Sequence, residues 1–213
     1  MSSYDPVTPD RLQQFLTRLG REYRQPGRVF LVGGTGLIYQ GLKLVTKDVD
    51  LTTPLAPREH DRFWQTVRRL GHELRMAIEE VSSAHFIPLP SGVEQRHRYL
   101  GRYGQLDIFA FDPVSTALAK IARGRPADVA DVLGMVQEGQ LQIATLTAAL
   151  DEILPRVAAG QALKITANEY QQKMAAFLAE ARAQGLPAEP AVTEPGPGAA
   201  NDTAAPEHDV GLE

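Results

Sequence analysis

Four consecutive residues, Asp48-Val49-Asp50-Leu51, constrain this chain more than any other stretch. Successive side chains of a strand point to opposite faces. As a strand, the segment puts both carboxylates on one face and both apolar side chains on the other. Val49 and Leu51 then seek a core, and the acids must face something else. Two neighbouring carboxylates raise each other's pKa unless a cation sits between them. Two readings are open: an exposed strand face with two solvated aspartates, or half of a cation site. Oxygen-only ligands suit Mg²⁺ or Mn²⁺. The chain has no cysteine, so thiolate metal sites, cysteine-ligated clusters, disulfides and cysteine nucleophiles are all excluded.

The surrounding pattern alternates strand and helix. Thr8 and Pro9 read as the cap and first residue of a helix, with Leu12, Phe15, Leu16 and Leu19 on its inner face. Arg28–Val32 reads as a strand, followed by Gly33-Gly34-Thr35-Gly36 and a short helix over Leu37–Leu42. A strand over Lys47–Thr52 carries the two acids. Pro57 opens a helix through Leu70, and strands are expected over Ala84–Leu89 and Gln105–Phe111. Beyond Phe111 the periodicity is helical only. Segments begin at Asp112-Pro113, Ala127, Thr145 and Thr166, and Pro155 ends or kinks the third. The expected organisation is an α/β half over 1–111 and a helical half over 112–184.

The last 28 residues differ from both halves. They contain five prolines, six acids, no Lys or Arg and no aromatic residue. Such a composition cannot bury enough apolar surface to offset the entropy of ordering. A disordered acidic tail is expected over 185–213. Of the net charge of −4, this tail carries all the negative excess, leaving the body at +2. That balance neither announces nor forbids an RNA partner. No apolar run approaches the roughly 18 residues that span a bilayer, and Met1–Arg11 lacks a signal-peptide pattern. We expect a cytoplasmic protein with no membrane contact.

Two further features bear on chemistry. Val32-Gly33-Gly34-Thr35-Gly36, between strand and helix, can offer backbone N–H groups to an anion. It matches neither the dinucleotide fingerprint nor the P-loop; without a ligand it is simply a tight turn. Asp107, within Leu106-Asp107-Ile108-Phe109, is costly if buried alone. It either faces water or shares a site with Asp48 and Asp50. His60, His72, His85 and His97 lack ligand spacing and read as surface or packing residues. Arg96, Arg98 and Arg102 lie near the Asp107 strand, where a polyanionic acceptor could meet them.

Together these pieces resemble the nucleotidyltransferase superfamily related to DNA polymerase beta. The resemblance rests on Val32-Gly33-Gly34, thirteen intervening residues, Asp48-Val49-Asp50-Leu51 and a later acid in Leu106-Asp107-Ile108. It implies an α+β fold, a small mixed sheet with flanking helices. It implies that an NMP passes from an NTP to an acceptor, with pyrophosphate released. Asp48, Asp50 and Asp107 would be the metal ligands, and Gly33, Gly34 and Thr35 would meet the triphosphate.

A narrower resemblance covers Asp112 to Asp131. This segment is similar to the Lys…Arg…Asp-x-x-Asp helical segment of AbiEii-type toxins and of small nucleotidyltransferases of unassigned function. It implies an activity role for Lys120 and places Asp128 and Asp131 as additional site residues. From spacing alone, Lys120 and Arg123 share a helix face and could reach a triphosphate. An ordinary salt-bridged helix pair explains the same spacing. The resemblance implies RNA (tRNA) or protein as acceptor, and an antitoxin as partner. A catalytically silent nucleotide- or partner-binding protein of the same fold is the competing class.

Overall fold

The computed structural model describes residues 4–81, 87–161 and 165–186. Its centre is a five-stranded mixed sheet in the order β3-β2-β1-β5-β4, formed by β1 (Gly27–Leu31), β2 (Asp48–Thr52), β3 (Ala77–Glu80), β4 (Arg98–Tyr103) and β5 (Leu106–Ala110). Among the described residues seven α-helices accompany it: α1 (Pro9–Glu22), α2 (Gly33–Tyr39), α3 (Pro57–Glu73), α4 (Pro113–Arg123), α5 (Pro126–Gln137), α6 (Ile143–Arg156) and α7 (Ala167–Ala183). The expected α+β class is the observed one.

Helix starts follow their chemistry. Thr8 caps α1 through its hydroxyl, with Pro9 in the first turn. Asp112 is fully buried at the head of α4, where its carboxylate accepts from Val114 N–H and Ser115 N–H. Arg96 grips the same carboxylate with two bonds of 2.8 and 2.9 Å. Thr166 and Glu169 form a reciprocal capping box on α7. Pro155 lies inside α6, one residue before its end, and a wider turn follows over Val157–Gln161.

Three element expectations need correction. The helix expected over Leu37–Leu42 begins at Gly33, so the glycine turn is itself the first turn of α2. Two strands, β3 and β4, were not expected; both are sheet-edge strands with little apolar alternation. The strand expected over Ala84–Leu89 falls partly on 82–86, outside the described residues, and Ile87–Leu89 is not extended into the sheet. The tail expected from 185 lies outside the described residues from 187 onward.

The apolar residues form two clusters. One joins α1, α3 and one face of the sheet through Phe15, Leu16, Val49, Leu51, Phe63 and Ile108. The other joins α4–α7 through Leu118, Ile121, Leu146, Tyr170 and Phe177, with Leu37 reaching into it from α2. Where α1 crosses the β4–β5 turn the backbones touch directly. A Cβ at Gly20 would fall on the Tyr103 carbonyl, and one at Gly104 would fall on the Gly20 carbonyl.

Candidate active site

The site is built where β1 hands over to α2. Leu31 pairs with Leu51, and Val32 N–H donates to the Asp50 carbonyl at 3.0 Å. This register sets Asp48 and Asp50 beside Gly33 and Gly34. Gly33 has φ +56°, and an added Cβ there would sit 3.2 Å from Asp50 Oδ2. The position thus favours glycine on both counts, left-handed backbone and close approach.

On the other side of β2, strand β3 runs parallel and pairs Asp50 with Glu79. Asp48, Asp50 and Glu79 each offer a carboxylate oxygen within 4.8 Å of the others. Among the described residues, no ion pair involves any of the three. Asp50 is pushed up to about 7, first by burial, then by Asp48 and Glu79; Arg123 and Lys120 pull it partly back.

The structure does not bring Asp107 to this cluster, correcting that expectation. Asp107 pairs with Arg28 on β1, whereas Asp50 lies opposite Val32. Four residues of strand therefore separate the two levels, roughly 13 Å. Asp107 lies on the same sheet face but meets Arg102, at 3.7 Å. Glu79 occupies the place expected of it. Sequence reasoning missed Glu79 because Ala77-Ile-Glu-Glu80 scarcely alternates. The available signal was topological: after a crossover helix, a parallel strand commonly neighbours the strand before it.

Thr35 is also placed otherwise than expected. It is fully buried; its hydroxyl accepts from Asp50 N–H at 2.8 Å and donates to the Asp48 carbonyl at 3.4 Å. It fixes the backbone carrying the two acids and is not directed at a ligand.

Opposite the acids stands a basic wall. A cavity of about 750 Å³ is lined by Gly33, Gly34, Asp48, Asp50 and Glu79, and by Lys43, Lys47, Lys120, Arg123 and Arg125. Lys120 is 3% exposed and donates to Asp128 at 3.2 Å and Asp131 at 2.7 Å. Arg123 donates to the same oxygen of Asp128 at 2.7 Å, and Lys43 reaches both oxygens of Asp131 at 2.7 and 2.8 Å. The loop after α2 is thereby tied to α5. Lys43 had no sequence signal; it lies in no motif and becomes visible only through this contact.

A glycine turn against paired strand carboxylates, faced across one cavity by the buried Lys120 and the exposed Arg123 and Arg125, combines groups suited to a cation with groups suited to phosphate. Residues 10–176 match the family model described as nucleotidyltransferase of unknown function (DUF6036), and the chain belongs to that family. Searches of curated proteins and of solved structures found no match.

Proposed function

We propose that this chain is a metal-dependent nucleotidyltransferase moving an NMP from an NTP to a hydroxyl of RNA (tRNA) or of a protein. The observation that supports it best is the carboxylate cluster. Asp48, Asp50 and Glu79 converge with no ion pair to a cation among the described residues, and Asp50 is driven toward its neutral form. That donor set fits Mg²⁺ or Mn²⁺. When bound there, such an ion supplies charge neutralisation to the reacting phosphates.

The chain's own residues divide the remaining work. Gly33 and Gly34 leave room for the triphosphate beside the backbone. Lys120 and Arg123 face the charge that develops on the leaving group. Asp128 and Asp131 hold these cations in place as positioning residues. The acceptor oxygen bonds to the α-phosphorus, the bond from that phosphorus to the bridging oxygen breaks, and pyrophosphate leaves. The acceptor's proton is released to solvent. Asp107 has no part in this scheme.

The toxin reading is narrower and rests on the Lys120–Arg123–Asp128–Asp131 segment; it adds an antitoxin protein as partner and the cytoplasm as location. One experiment tests the chemistry. Protein and its Asp48→Ala variant are incubated with Mg²⁺, each α-labelled NTP, and cellular RNA or lysate protein. Label on a defined band with the unaltered protein alone is the expected result. Mg²⁺-dependent nucleotide binding with no label under any combination would favour the silent binding protein. Growth arrest on expression, absent with Asp48→Ala, is the expected outcome for a toxin.

A further inference from the structure

The face of the sheet that carries the acids also carries an ordered set of aromatic and basic side chains. The register aligns them in three rows across the strands. The first holds Glu79, Asp50 and, further along, Phe111. The second holds Thr52, Phe30, Phe109 and Tyr99. The third holds Arg28, Asp107 and Arg102. Helices α1 and α3 pack on the opposite face, where Val29, Leu31, Val49, Leu51 and Ile108 are buried.

The middle row is a continuous ring array. Phe109 stacks on Phe30 with centroids 5.4 Å apart and 29° between planes, and Tyr99 meets Phe109 edge-on at 5.4 Å. Phe30 is buried, with the His97 ring nearest it at 4.5 Å, Phe109 is half-buried, and Tyr99 is 59% exposed. Tyr99 is among the few large hydrophobics so exposed in the described residues. Arg28 is exposed and has no ion pair among those residues. Arg102 is also exposed, and holds Asp107 through one nitrogen at 3.7 Å. The other two arginines of this region are engaged elsewhere: Arg96 on Asp112, and Arg98 on Gln40 behind the sheet.

We propose that this open face binds a single-stranded nucleic-acid end, with bases stacking on Phe109 and Tyr99 and phosphates meeting Arg28 and Arg102. Aromatic faces beside a basic track suit bases of any sequence. A protein partner fits less well: protein interfaces are depleted of charge at their centre, whereas here a charged row adjoins a single row of rings. Phe109 is two strands from Asp50 and one residue pair along, roughly 12 Å by sheet spacing. A strand seated on the rings therefore has its terminus close to the carboxylates. The surface is the acceptor platform of the transferase proposed above, and its role as such rests on that reading.

The test is fluorescence anisotropy with the full chain, Mg²⁺ and no NTP. The probes are a labelled twelve-residue single-stranded RNA, its DNA counterpart and a duplex. Single strands are expected to bind and the duplex to bind more weakly; the tighter of the RNA and DNA arms names the acceptor. Tyr99→Ala should weaken binding about tenfold without moving the melting temperature, since the side chain is mostly exposed. Phe109→Leu, which keeps a residue over Phe30, should do likewise. Arg28→Ala should lower the log–log salt slope by about 0.7. No single-strand binding overturns the inference, as does binding unchanged in both Tyr99→Ala and Phe109→Leu. So does loss of a co-purifying protein in those variants while oligonucleotide binding persists. A Mg²⁺-dependent nucleotide melting shift reads the transferase site separately. A shift without oligonucleotide binding overturns the platform alone. Oligonucleotide binding without shift or label transfer overturns the transferase reading and leaves the platform standing.

Discussion

Two acid pairs flank one cavity, and they are treated in opposite ways. Asp128 and Asp131 on α5 are met by Lys120, Arg123 and Lys43. Asp48 and Asp50 on β2 are met by a third acid, Glu79. The first pair is buried among partners the chain supplies, as buried charges require. The second holds like charges together, and Asp50 bears the consequence in its raised pKa. The helical pair is thus neutralised by cations of the fold, although Asp128 Oδ2 is buried without a hydrogen-bond partner among the described residues, while the strand pair meets a third acid instead. The two pairs are distinguished here by what surrounds them, cations in one case and a third acid in the other, and not by spacing.

The contrast is broken most severely by removing a strand acid. Asp48→Ala should lower label transfer about a thousandfold while leaving urea unfolding unchanged or slightly harder, because a repulsion is lost. Equal activity in this variant would remove the distinction. Removing a helical partner should do the reverse and strike the fold. Lys120→Met leaves Asp128 and Asp131 short of a buried cation, a loss of about 3–5 kcal/mol in chemical unfolding.

The third contrast is one of pH. Asp50 has a folded pKa of about 7, above its ordinary value. The folded chain therefore binds more protons than the unfolded one between these values. Stability in chelator should fall as pH rises from about 4 to 7 and level off above, by up to about 4 kcal/mol. Asp50→Asn should flatten the profile, and Mg²⁺ should restore stability at pH 8. The mildest change is Lys43→Ala. Its pair with Asp131 is part-exposed and Asp131 keeps Lys120, so about 1 kcal/mol or less is expected in denaturant titration.

The same contrast explains what was legible in the sequence. Glycine turn and alternating acids were readable because they are local: neighbouring residues fix their own faces. Capped helices were readable for the same reason, as Asp112-Pro113 shows. Glu79 and Asp107 were not, because their places depend on register. Asp107 sits in the strongest late strand, yet pairing with Arg28 carries it away from Asp50. Glu79 sits in a four-residue edge strand with little pattern, yet pairing with Asp50 brings it in. Likewise the Thr35 hydroxyl, adjacent to the glycines, is held by backbone groups of β2 that no spacing rule reveals. A one-residue motif match cannot choose among acids on different strands; hydrogen-bonded pairing does.

The contact between Gly20 and Gly104 has a consequence for descent. Each position excludes a side chain because the other's backbone, or that of Tyr103, already fills the space. Neither can accept a Cβ unless α1 lifts from the β4–β5 turn, which would open the apolar seam beneath α1. Across relatives the two sites should therefore drift as a couple. Lineages that keep this helix seated should keep both glycines, and one that loses either should show compensating change in the hairpin. This pair of far-separated positions is thus a fingerprint of the fold independent of Asp48 and Asp50, able to mark kin in which those acids have been lost.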